Sequence, residues 1–210
     1  MDGPSNLLAG YRRFRETRYE AEKSRWRALA EGQSPRAIII ACCDSRADPA
    51  TIFDTDPGEI FVVRNVANLV PPFEGGGGRH GVSAALEFAV TQLGVREVVV
   101  MGHERCGGIQ AALTGQFHDA PNGEGGFVAN WMSQIDERAA EIAETHGTGE
   151  HAARVLEEVA IRQSLANLRT FPFVVERETA GTLKVIGCHF SIGEGQLYML
   201  DEAEDCFRPV

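Results

Sequence analysis

The run Ala37-Ile38-Ile39-Ile40-Ala41-Cys42-Cys43 contains no strongly polar side chain and is β-branched at its centre. A segment this short and this continuous reads as a strand buried on both faces, the habit of parallel sheets covered by helices on either side. The residues that follow repeat the logic. Glu59 opens a second apolar run, residues 59–64, after the turn Asp56-Pro57-Gly58. Residues 82–93 place Leu86, Ala89, Val90 and Leu93 on one helical side, Gly94 stops that helix, and residues 97–101 (EVVVM) form a third strand. Strand, helix and strand at this spacing make a βαβ crossover. The pattern then predicts a helix over 107–113, a Gly/Pro/Asn-rich loop over 114–126, and longer helices over 127–145 and 149–170. A C-terminal hairpin of residues 182–190 and 196–201 turns at Gly193-Glu194-Gly195. The expected fold class is α/β: a mostly parallel four-stranded sheet plus an antiparallel edge strand, flanked by helices.

At 210 residues the chain is expected to form one domain, with an N-terminal helical arm over 1–31 and a core over 32–210. The arm carries Leu7, Leu8, Tyr11, Phe14, Tyr19, Trp26 and Leu29 among many Arg and Glu residues. That is too little apolar surface to fold alone, so the arm must lie on something, either its own core or a partner subunit. Thirty acidic residues against 20 basic ones give a net charge of −10, which argues against a nucleic-acid backbone or an anionic membrane as partner. The N-terminus lacks a basic segment followed by an apolar one, and residues 37–43, the longest apolar run, fall far short of a membrane span. Five cysteines, two of them adjacent, suit thiols kept reduced or held by a metal in the cytoplasm more than a secreted disulfide framework.

Ligand sites of open α/β sheets gather at the C-terminal ends of the strands. The first strand ends in Cys42-Cys43-Asp44-Ser45-Arg46 and the third in Gly102-His103-Glu104-Arg105-Cys106-Gly107-Gly108. Adjacent parallel strands would bring Cys42 or Cys43, His103 and Cys106 within reach of one ion. Two thiolates and an imidazole suit zinc, and three protein ligands leave the fourth position that marks a catalytic site. Asp44 can accept a proton or bind the metal itself, and Arg46 offers a two-pronged clamp that would hold the carboxylate off the ion. Gly107, opening a helix, can present a backbone N–H to a developing oxyanion.

With these residues in view, the sequence resembles the β-class carbonic anhydrases. The matching elements are Cys42-x-Asp44-x-Arg46 and His103-x-x-Cys106-Gly107-Gly108, joined by Pro57-Gly58-Glu59, Arg64-Asn65-Val66-Ala67-Asn68 and Ala85-Leu86-Glu87-Phe88-Ala89-Val90. The resemblance implies zinc-dependent hydration of carbon dioxide to bicarbonate, with one Zn2+ per subunit on Cys42, His103 and Cys106. It selects Cys42 over Cys43, which is then expected to pack on the opposite face, and leaves Cys188 and Cys206 without a ligand role. Phe61, Val66 and Phe88 match positions lining an apolar cleft, and Gln33 matches a residue that reaches the substrate from the neighbouring subunit. The assembly implied is a homodimer, or a dimer of dimers, built by exchange of N-terminal helices. Relatives exist with Asp44's counterpart either on the metal or paired with its arginine.

Departures from the family pattern matter too. Gln92 stands where some relatives carry a His that relays protons, which leaves His80 as a candidate by sequence proximity. Ile39 and Phe190 replace two of three residues of an inhibitory bicarbonate site found in one subgroup, so no such site is expected here although Arg64 is present. The alternatives are a non-catalytic carbon dioxide or bicarbonate sensor and a related hydrolase acting on carbon disulfide. A nucleotide-binding reading, prompted by Gly75-Gly76-Gly77-Gly78, fails because no Gly-Lys-Ser/Thr and no strand-linked Gly-x-Gly-x-x-Gly follows.

Overall fold

A computed structural model describes residues 5–76 and 78–210, so Gly77 of the glycine run and residues 1–4 lie outside the described residues. The chain divides into two compact units, residues 1–34 and 35–210. The first holds α1 (Ser5–Phe14), a π-helical turn (Arg15–Tyr19) and α2 (Lys23–Glu31). Its aromatic residues pack on one another, with Phe14 and Trp26 edge to face at 5.3 Å and Tyr19 within 6.2 Å of both. Leu7 and Tyr11 remain exposed on α1, so this unit has amphipathic helices but no core of its own.

The second unit is built on β1 (Ala37–Cys42), α3 (Pro49–Ile52), β2 (Ile60–Asn65), α4 (Gly81–Glu87), β3 (Glu97–His103), α5 (Gly107–Thr114), α6 (Gly126–Met132), α7 (Asp136–His146), α8 (Glu150–Leu168), α9 (Pro172–Thr179), β4 (Lys184–Ser191), β5 (Gln196–Asp201) and β6 (Cys206–Pro209). The strands form one sheet in the order β2-β1-β3-β4-β5-β6, parallel through β4 and antiparallel beyond it. The parallel part and the 182–201 hairpin follow the sequence expectation. The antiparallel edge is wider than expected, because β6 adds a second strand.

Burial explains the composition of β1, in which every residue is buried. Ile38 and Ile40 pack with Val98, Val100, Leu86, Ile161 and Leu165 beneath α4 and α8, while Ile39 and Ala41 join Val99, Met101 and Cys188 on the opposite face. The helix over 82–93 forms as α4 and a π-helical turn (Phe88–Gln92), ending at Gly94 with φ +66. The single helix expected over 127–145 is instead broken into α6 and α7 by a 3-10 turn at Ser133–Ile135. There Ser133 Oγ donates to the Asn130 carbonyl, and Asp136 and Glu137 supply the acidic first turn of the next helix. Among the described residues no helix is long and apolar enough to cross a membrane.

Candidate metal centre

Parallel pairing of β1 and β3 sets Ala41 opposite Met101, so Cys42 and His103 arrive at the same rim of the sheet. Three residues beyond His103 the chain starts α5, and Cys106 is its N-cap residue. The Sγ atoms of Cys42 and Cys106 lie 3.8 Å apart, and with His103 the three side chains each offer a ligand atom within 4.8 Å of the others. All three are buried.

His103 Nδ1 faces the Glu104 carbonyl at 2.9 Å, so that nitrogen carries the proton and Nε2 keeps its lone pair. Nε2 is buried and has no hydrogen-bond partner among the described residues. An orphaned lone pair beside two thiols is costly unless a cation takes it. A tetrahedral zinc ion with bonds of about 2.3 Å to sulfur holds its two sulfurs about 3.8 Å apart, the separation found here. The donor set fits zinc in both chemistry and spacing.

The electrostatics agree. Cys42 is pulled down to about 4, chiefly by the hydrogen bond from Cys106, against the upward push of burial. Cys106 moves up because it donates to Cys42 and is itself buried. Burial opposes charge on His103, yet its contacts with the Cys42 sulfur leave its pKa raised. The pair behaves as one thiolate sharing a proton, the place a metal ion would take.

Asp44 sits at the edge of this cluster, with Oδ2 4.0 Å from His103 Nε2. Arg46 grips it from two sides: Nε donates to Oδ1 at 2.9 Å and Nη2 to Oδ2 at 2.7 Å. This guanidinium holds the carboxyl well below the usual carboxylate range. The same Nη2 donates to the Arg105 carbonyl at 3.0 Å, tying the two rim segments together. Arg64 braces the first of them, donating to the Cys42 and Asp44 carbonyls at 2.8 and 2.6 Å and to Asp48 Oδ1 at 3.1 Å.

Backbone strain gathers at the same place. Ala67, Asn68 and Arg105 all take positive φ without being glycine, at 62°, 50° and 54°. Gly108 is glycine for a steric reason, since a Cβ there would lie 2.6 Å from Val66 Cγ1. Val66 is held in turn by Trp131, whose Nε1 donates to its carbonyl at 2.8 Å.

The structure thus brings together Cys42, Asp44, Arg46, His103 and Cys106, with Gly107 opening α5 and Val66 against its first turn. Phe61 and Phe88 do not join them. They stack on each other at 6.0 Å, and Phe61 pairs in register with Ile38, four residues before the Cys42–Asn65 pair. Gln33 is exposed in the N-terminal unit. His80 precedes α4 and lines a cavity of about 630 Å³ together with Asn65, Val66 and Trp131. Cys43, expected inside, is exposed: β1 ends at Cys42, and past the strand end the alternation of faces no longer applies. Sequence reading missed Glu157, whose carboxylate accepts the Cys106 N–H at 3.1 Å. Its only sequence signal was an acid on the apolar stripe that Ala153, Ala160 and Ile161 define along α8.

A family profile described as carbonic anhydrase matches residues 37–197. The chain is 35% identical over 187 residues to "Beta carbonic anhydrase 6, mitochondrial" of Arabidopsis thaliana, a match that takes in 88% of this chain and 63% of that relative's length. Among solved structures, the β-carbonic anhydrase CcaA superposes with a TM-score of 0.88 at 28% identity, over 98% of this chain and 91% of that one. A structure from a report on two tetrameric β-carbonic anhydrases of the filamentous ascomycete Sordaria macrospora does so with a TM-score of 0.72 at 27% identity, over 97% and 94%.

Proposed function

Since this chain belongs to the β-carbonic anhydrase family, we propose that it catalyses the reversible hydration of carbon dioxide to bicarbonate and a proton on one zinc ion held by Cys42, His103 and Cys106. The observation that carries the reading is the unpartnered, buried Nε2 of His103 beside two sulfurs 3.8 Å apart. When bound, zinc supplies the acidity that makes a water molecule nucleophilic near neutral pH.

The chain's own residues do the rest. Asp44, ionised and fixed by Arg46, accepts a hydrogen bond from the reacting water and turns its lone pair toward the carbon of CO2. Arg46 acts through Asp44 and keeps that carboxylate from closing on the cation. The substrate is uncharged, so an apolar wall suffices to hold it: Val66 from this chain, with Phe61 and Phe88 matching the remaining wall positions. As attack turns CO2 into an anion, the N–H of Gly107 and the amide of Gln33 become useful donors. Phe61 and Phe88 lie outside the metal cluster of their own chain, and Gln33 matches a residue that reaches the substrate from the neighbouring subunit; both support a homodimer, or a dimer of dimers, in which a second copy completes the site. Five free cysteines support a reducing compartment such as the cytoplasm.

Stopped-flow CO2 hydration, run with zinc analysis on the wild type and on Asp44→Ala, tests the proposal. The wild type should be active with one zinc per chain. The variant should keep its zinc and lose about 100-fold or more in kcat, the usual worth of a positioned proton acceptor. Full zinc with no activity in the wild type would turn the reading toward a carbon dioxide or bicarbonate sensor, and activity on carbon disulfide instead would turn it toward that hydrolase.

A further inference from the structure

Behind Cys106 the long helix α8 turns a carboxylate into the protein interior. Glu157 is 3% exposed and His189, facing it from β4, is fully buried. Glu157 Oε1 accepts the backbone N–H of Cys106 at 3.1 Å, and Oε2 lies 2.9 Å from His189 Nε2. Nη1 of Arg154 lies against the same imidazole, closest to Nδ1 and 3.1 Å from Nε2. A carboxylate only accepts, so Nε2 carries the proton that it gives to Glu157, and Nδ1, the nearer nitrogen to the guanidinium, is left as the acceptor. Arg154 is itself fixed, with Nε on Glu158 at 2.9 Å and its guanidinium 5.2 Å from the centre of the Tyr198 ring. Arg154 and Glu157 line a cavity of about 610 Å³ that also touches Arg105 and Gly107.

A buried carboxylate and imidazole are expensive groups at a position that packing alone would fill with an aliphatic side chain. Leu156, Ala160 and Ile161 show that the surrounding surface of α8 is apolar. Besides the imidazole that holds it, the carboxylate takes the N–H of Cys106, at the N-cap where that group has no helical partner. The carboxylate therefore fixes the backbone from which Sγ projects and adds negative charge behind the sulfur. Both effects favour a cation in front of it.

We propose that Glu157, held in place by His189 and Arg154, is a positioning residue for Cys106 that sets how tightly the chain holds its metal. The inference rests on the zinc reading above. Glu157 touches neither substrate nor metal, so its effect belongs in affinity before it appears in turnover, on the scale of 10- to 100-fold typical of groups that orient a ligand.

The test compares the full-length wild type with Glu157→Gln and Glu157→Leu. Zinc dissociation constants come from chelator competition, thermal melting is followed on the zinc-free proteins, and the sulfur-to-metal absorption band is recorded after cobalt substitution. Glu157→Gln keeps the shape and an acceptor for Cys106 but removes the charge. It should weaken zinc about tenfold and shift the cobalt band, while the zinc-free protein melts at the wild-type temperature. Glu157→Leu, which removes the acceptor as well, should weaken zinc about 100-fold. A zinc affinity in Glu157→Gln within about twofold of a wild type that binds one zinc per chain would overturn the inference and leave the family reading intact. Loss of the fold in Glu157→Gln would make the residue purely structural and overturn it equally. A wild type that binds no zinc would bring down both.

Discussion

At the C-terminal rim of β1 and β3, Cys42, His103 and Cys106 meet inside one chain, whereas Phe61 and Phe88 stack on each other some way back along the sheet. Phe61 lies on β2, the strand paired with β1, and Phe88 opens the π-helical turn after α4. For Phe61 the separation comes from register: it stands four residues before Asn65, the partner of Cys42, which is roughly 13 Å of extended chain. A chain that folds this way can build its ion site by itself, because parallel pairing delivers neighbouring strand ends to one rim. Its Phe61–Phe88 pair stands apart from that cluster. The Cys-His-Cys cluster is therefore a property of the fold, and under the proposed function the rest of the substrate cleft belongs to the way copies of the fold are arranged.

The bluntest way to break this division is to attack its intramolecular half. Cys106→Ala removes one sulfur and the donor that holds Cys42 low, while the backbone N–H that Glu157 accepts stays in place. We expect zinc content to fall close to zero and CO2 hydration to drop by about 1,000-fold or more. The assembly should persist, because Cys106 faces the interior between α5 and α8. Elemental analysis, stopped-flow assay and sedimentation on the same sample check all three. A variant that loses its zinc and its assembly together would mean that the two halves are not separable.

The intermolecular half is tested by complementation. Gln33→Ala should keep one zinc per chain and lose about tenfold in kcat/KM, the worth of one hydrogen bond to the reacting species. If Gln33 acts across subunits, its loss and that of Cys106 fall on different sites of a mixed dimer. Unfolding and refolding an equal mixture of Gln33→Ala and Cys106→Ala should then restore about a quarter of wild-type activity, since half the dimers are mixed and each has one complete site. Activity no higher than half that of Gln33→Ala alone would place both residues in the same site and end the comparison.

How much of this was legible in the sequence follows from range. The cluster of Cys42, His103 and Cys106 could be read because Cys42 and His103 end strands whose apolar runs are unmistakable, Cys106 follows three residues after His103, and Asp44 and Arg46 are local to Cys42. The βαβ unit was legible for the same reason. β6 was not, since its four residues, Cys206–Pro209, show no alternation and gain their meaning only from pairing with β5. The break between α6 and α7 was hidden because residues 127–145 keep a helical pattern through it, and only the Ser133 turn interrupts the backbone. Glu157 and His189 lie 32 residues apart and each looks ordinary alone. Cys43 shows the opposite failure, where a sound rule of alternation was carried one residue past the strand that justified it.

Cysteine identity supplies the finest test of what separates the metal rim from the rest of the sheet. Cys188 lies on β4 opposite Met101, among Ile39, Ala41 and Val99, on the face away from Cys42. Among the described residues nothing offers its sulfur a hydrogen bond or a charge, and burial pushes its thiol up to about 12, whereas Cys42 is drawn down to about 4. It is a small hydrophobic group that happens to contain sulfur. Cys188→Ala should therefore leave zinc content and kcat/KM at wild-type values and cost only about 1 kcal/mol of stability, from a small unfilled space in a packed face. Urea midpoints and zinc analysis measure the two sides of that statement. Zinc loss in Cys188→Ala would show that the metal draws on the far face of the sheet, and that the rim of β1 and β3 does not hold it alone.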